Sequence, residues 1–119
     1  MSSFNVQIRH EQEIQILELY GELDAHTAPD LEERIKKLID EEKYFIIVNF
    51  TSLDYISSAG LGVFMAYIED VRTLGGDIKL TNMKPSVYNV FDLLGFPTLY
   101  DILDDEKQAA QRFKSEFDK

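Results

Sequence analysis

The sequence contains no cysteine and no tryptophan, and only three prolines and six glycines among 119 residues. Without cysteine there is no disulfide and no thiolate metal site, and a small domain that folds without such staples suits the cytosol. Long apolar runs are missing too. None approaches the roughly 20 residues of a membrane-spanning helix, and the N-terminal MSSFNVQIRH lacks the basic and apolar segments of a secretory signal. The chain therefore reads as soluble and cytoplasmic. Positive charge is scarce, with 12 Lys and Arg against 22 Asp and Glu and a net charge of -10. Such a surface repels phosphodiester backbones and anionic lipid, which disfavours direct nucleic-acid or membrane binding. It leaves a basic protein partner, or simple solubility, as its use.

What is present suffices for one core. Apolar residues make up 45% of the chain, with eight Phe and six Tyr, so a single folded domain over residues 1 to 119 is expected. Phe4, Val6 and Ile8 alternate with polar neighbours as in a half-buried strand, and a short polar link to Ile14 through Tyr20 favours an antiparallel hairpin. Thr27, Pro29 and Asp30 look like a helix start, with Thr27 as N-cap, followed by Leu31, Ile35, Leu38 and Ile39 at helical spacing up to about Glu42. Tyr44 to Phe50 is a nearly continuous apolar run suited to a central strand covered on both faces. Leu61, Phe64, Met65, Ile68 and Val71 mark the core face of a second helix from Ser58 to Leu74, which Gly75 and Gly76 terminate. A short strand over Asp77 to Thr81, a helix from Pro85 to Gly95, a short strand over Phe96 to Tyr100 and a last helix from Asp104 to Phe117 complete the pattern. The order ββαβαβαβα predicts an α/β fold with a mixed, mainly parallel sheet of about five strands and about four helices, the first strand being antiparallel.

The stretch LDYISSAGLG, residues 53 to 62, puts two hydroxyls where a strand hands over to a helix. A nucleophile elbow needs glycines two positions either side of its serine; Ser58 has Ile56 and Gly60 there, and Ser57 has Tyr55 and Ala59. The base is no better placed, because His10 falls in the hairpin and His26 in the loop after the second strand, so a hydrolase using Ser58 and His26 is disfavoured. The segment is neither a Walker loop nor G-x-G-x-x-G. Asp24, His26 and Asp54 match no metal-ligand spacing, and Asp24 suits a loop cap or a partner contact. No cofactor or metal is expected. Two roles remain open: a serine here can cap the helix, worth about 1 kcal/mol, and an accessible hydroxyl can accept a phosphate, which the helix dipole tolerates while about -1.5 to -2 charge is added.

Gly21-Glu22-Leu23-Asp24, the apolar IIVNF followed by a short turn, Tyr55-Ile56-Ser57-Ser58-Ala59-Gly60-Leu61-Gly62 and Leu74-Gly75-Gly76-Asp77-Ile78-Lys79-Leu80 together resemble the STAS domains of bacterial anti-sigma-factor antagonists, over almost the whole chain. The resemblance implies a STAS-like fold and a regulatory binding protein with no enzymatic activity of its own. It implies that the unphosphorylated protein binds an anti-sigma factor that is also a serine kinase, releasing a sigma factor. Phosphorylation of a serine at the start of the second helix then breaks the complex, and a serine phosphatase restores it. Alignment on Gly60-Leu61-Gly62 puts the acceptor at Ser58. Ser57 and Ala59 stand where many members have Asp and then Ser or Thr, which makes Ser57 the alternative acceptor. Asp24, Asp54, Ser57, Ser58, Gly60 and Leu61 would form the partner-binding surface. The competing expectation is a STAS-type scaffold or sensor that binds a protein or small ligand without phosphorylation, its serines serving only as caps.

Overall fold

The alternation at the N-terminus produces β1 (Phe4–Glu11), which turns through Gln12 and Glu13 into β2 (Ile14–Leu23) in the computed structural model. The structure describes residues 4–117. There follow α1 (Ala28–Asp40), β3 (Phe45–Ile56), α2 (Ser58–Thr73), β4 (Asp77–Thr81), α3 (Pro85–Leu93), the one-turn α4 (Phe96–Leu99), β5 (Ile102–Leu103) and α5 (Glu106–Phe117). The five strands lie in the order β1-β2-β3-β4-β5. β1 is antiparallel to β2 and the other neighbours are parallel, so the expected mixed sheet with an antiparallel first strand is what forms.

Side chains that alternate along the strands feed two cores. Leu17, Leu19, Ile46, Val48, Phe50, Ile78 and Leu80 face α1, α2 and α3 in the main cluster. Ile14, Ile16 and Ile47 face the other way, against Ala109 and Phe113 of α5. Coverage on both sides is why β3 is so continuously apolar at Ile46, Ile47 and Val48.

The structure corrects the sequence expectation at four places. β3 does not end at Phe50 in a turn; Leu53 and Ile56 are buried and pair with Gly21 and Leu23 of β2, so the strand runs six residues further across its polar stretch. Phe96 to Leu99 is helical rather than extended, because Gly95 at φ 76° redirects the chain and Phe96 then packs against Tyr100 just past the turn, the rings tilted with centroids 4.9 Å apart. The last strand is instead Ile102–Leu103, and α4 raises the number of helices to five. Met65 is 49% exposed rather than core, since the buried face of α2 is rotated towards α1, where Val63 and Tyr67 are buried and the Tyr67 hydroxyl donates to Glu32.

Candidate functional site

Parallel pairing of Leu23 with Ile56 makes β2 and β3 end side by side. The segments that follow, Asp24 to Thr27 and Ser57 with the start of α2, therefore leave the sheet at one place. Ser57 is tied there directly, its backbone N–H donating to the Leu23 carbonyl at 2.9 Å.

The Asp24 side is a closed turn. One carboxylate oxygen, Oδ1, accepts the N–H groups of His26 at 2.9 Å and Thr27 at 3.2 Å, and the Asp24 carbonyl accepts that of Ala28 at 2.8 Å. Thr27 occupies the N-cap position of α1 but its hydroxyl does not cap the helix: it accepts from the Asp24 N–H and donates to the Glu22 carbonyl. Asp24 thus acts as the loop cap that its type and position allow. Asp54, on the last part of β3, is 67% exposed and pairs with Lys84 at the start of α3, at 2.5 Å. An exposed pair of this kind adds little stability. Among the described residues, no three His, Cys, Asp or Glu side chains assemble into a group able to hold a metal, and no hydrogen bond joins His26 to Ser58.

The two serines differ sharply. Ser57 has the extended backbone of an N-cap residue, φ -103° and ψ 174°, yet makes no side-chain cap bond, and its Oγ is buried without a partner. Capping by a serine hydroxyl, one of the two roles left open by the sequence, is therefore not realised. Ser58 is the first residue of α2 and is exposed. No acidic residue occupies the first turn of α2. The helix start consequently keeps its positive dipole end uncompensated beside an accessible hydroxyl.

Gly60 and Leu61 do not serve as surface contacts. A Cβ on Gly60 would lie 2.8 Å from Leu23 Cγ and 3.0 Å from Ile56 Cγ1, so glycine lets α2 rest on the ends of both strands. Leu61 is 2% exposed and sits in the main core. Both position Ser58 from beneath, because a helix start that leans on the sheet turns every third or fourth residue inward. The outward side carries Ser58, Ala59, Gly62, Met65 and Ala66, all uncharged, before Glu69 and Asp70. A Cβ on Gly62 would meet nothing. Tyr55, half exposed on the end of β3, is an apolar surface residue that periodicity did not single out, and Met65, which periodicity assigned to the core, is exposed on α2.

The STAS domain profile matches residues 5–109. The chain is 32% identical to the anti-sigma-B factor antagonist of Bacillus subtilis over 101 residues, 84% of this chain and 91% of that protein. The anti-sigma factor antagonist SpoIIAA in its unphosphorylated form superposes with a TM-score of 0.79 at 25% identity, covering 95% of this chain and 97% of that one. The phosphorylated form of SpoIIAA, from Bacillus, superposes with a TM-score of 0.71, also at 25% identity, covering 93% and 99%.

Proposed function

The chain belongs to the STAS-domain family of anti-sigma-factor antagonists, regulatory binding proteins rather than enzymes, and on that premise we propose that Ser58 switches its hold on an anti-sigma factor. Unphosphorylated, the protein binds an anti-sigma factor with serine kinase activity in the cytoplasm and so frees a sigma factor. Phosphorylation of Ser58 by that kinase breaks the complex, and a serine phosphatase resets it.

The observation that carries this reading is the contrast at the head of α2: Ser58 is exposed on an uncapped helix start, while the Ser57 hydroxyl is buried beside it. A kinase needs a hydroxyl it can reach, which favours Ser58 over Ser57. The existence of a phosphorylated form of the similar SpoIIAA supports modification as the switch. The docking surface consists of Ser58, Ala59, Gly62 and Met65 with Tyr55, flanked by Asp24 and Asp54. A partner seated there has to bury the added dianion, and an unpaired buried charge costs several kcal/mol; about 3 kcal/mol already weakens binding more than a hundredfold. The helix start tolerates the phosphate, so the switch acts at the interface and leaves the fold in place.

The test pairs the chain with its cognate kinase and ATP, followed by mass spectrometry and a binding assay. Wild type acquires one phosphate, on Ser58; Ser58→Ala acquires none and keeps its partner; Ser58→Asp loses at least tenfold in affinity. A phosphate on Ser57 alone would reassign the acceptor. Full partner binding by Ser58→Asp would instead favour a scaffold that works without phosphorylation.

A further inference from the structure

We propose that α5 is a strap that docks and releases as a unit, latched to the sheet by the buried ammonium of Lys79. This lysine lies in β4 with its side chain 0% exposed. Its Nζ donates to Asp101 at 2.7 Å, to Glu116 at 2.8 Å and to Asp77 at 3.1 Å, and it stands 4.6 Å from the centre of the Phe113 ring. Glu116 and Phe113 both belong to α5, Asp101 precedes β5, and Asp77 opens β4, so a single cation joins the helix to the strands beneath it. The surrounding charges are matched: Arg72 of α2 holds Asp77 at 2.9 Å and Arg112 of α5 reaches Asp101 at 3.5 Å.

The apolar contact beneath α5 is small: Phe113 and Phe117 meet Phe45 edge-on, with ring centroids 5.8 and 4.7 Å apart, and Ala110 packs beside them. Among its described residues only Ala109 and Phe113 are fully buried, against Ile14, Ile16, Ile47 and Phe45. The other end is also fastened by charge, with Glu106 accepting from Arg9 of β1 and from Asn49 of β3. Helices α1 to α4 are seated instead in the continuous apolar core of the other face, which does not depend on protonation. Neutralising the carboxylates leaves the fully buried ammonium without its counter-charges, and lifting α5 is what returns it to water; removing the ammonium instead deletes the bond to Glu116 and the contact with Phe113 that tie α5 to β4. Release uncovers a strip of Phe45, Ile16 and Ile47 on the second face of the sheet.

Hydrogen exchange measured by mass spectrometry on the full chain at neutral pH tests the latch. In Lys79→Met the backbone amides of residues 106 to 117 exchange at least tenfold faster than in wild type, while α1, α2 and β2–β3 stay within about twofold. Glu116→Gln, a change at a partly exposed position of α5 itself, gives the same selective loss at smaller size and serves if Lys79→Met fails to fold. Unchanged protection of α5 in the folded variant would overturn the proposal, and so would loss of protection across all elements together.

Discussion

Gly60 and Gly62 are two residues apart on α2 and answer to different demands. Gly60 is required by the fold: an added methyl group would press on Leu23 and Ile56, both in the core. Overpacking of this kind costs about 1–3 kcal/mol, so Gly60→Ala lowers the midpoint of urea unfolding. Gly62 is not required by anything within the chain, since a side chain there enters open space. Replacing an exposed helical glycine by alanine stabilises by about 0.5–1 kcal/mol. Gly62→Ala is therefore expected to raise the denaturation midpoint, whereas Gly62→Leu keeps the fold and weakens partner binding at least tenfold, as read by calorimetric titration. Retained binding by Gly62→Leu would move the docking surface away from α2. Both glycines were visible in the sequence motif, but their opposite roles were not, because that depends on which side of the helix meets the sheet.

Elements that end where apolar density ends are easily read, and those that end elsewhere are not. α1 follows its apolar spacing and its proline closely, while α3 starts at Pro85 as its spacing indicates but buries only Val87 and Phe91, leaving Leu94 beyond its end exposed. β3 continues past Phe50 because its neighbour β2 offers hydrogen-bonding partners out to Leu23, which no pattern within residues 51–56 announces. α4 escaped for a related reason: PheProThrLeuTyr is as compatible with a strand as with a turn of helix until Phe91, Phe96 and Tyr100 are seen to pack in a row, the first pair edge to face and the second tilted, with ring centroids 5.1 Å and 4.9 Å apart. That aromatic row joins α3 to α4 and the main core. Truncating a buried Phe in such a row costs about 3–5 kcal/mol, so Phe96→Ala is expected to lower thermal stability strongly while a change at neighbouring Leu99, an exposed side chain, leaves it nearly unchanged.

For the molecule as a whole, charge decides how it meets partners and solvent. With a net charge of -10, binding to a basic partner surface is steered by electrostatics, and the association rate falls as salt is raised from about 50 to 500 mM, as stopped-flow measurements would show. Charge also sets the pH range of stability. Burial alone would raise the Asp101 carboxyl, but the hydrogen bond and charge of Lys79 outweigh it and hold that carboxyl below its ordinary value. Burial likewise opposes the Lys79 ammonium, while Asp101, Glu116 and Asp77 hold it above its ordinary value. A depressed carboxyl contributes stability above its unfolded pKa of about 3.9 and loses it as pH falls through the folded value; a raised ammonium contributes below about 10.4 and loses it as pH rises through the folded value. The stability gap between wild type and Lys79→Met should therefore be widest between about pH 5 and 9 and narrow in acid, as denaturant titrations across pH would show. Periodicity and turn chemistry are local, and they were enough to place the antiparallel first strand, the central third strand, the order of elements as far as α3 and the two serines. That the Ser57 hydroxyl is buried and Ser58 open, that Leu61 faces inward while Met65 faces out, and that Lys79 is buried among three carboxylates emerges only from the packed fold. Those outcomes depend on which elements pack against each other across long separations in the chain, and no local spacing carries that information.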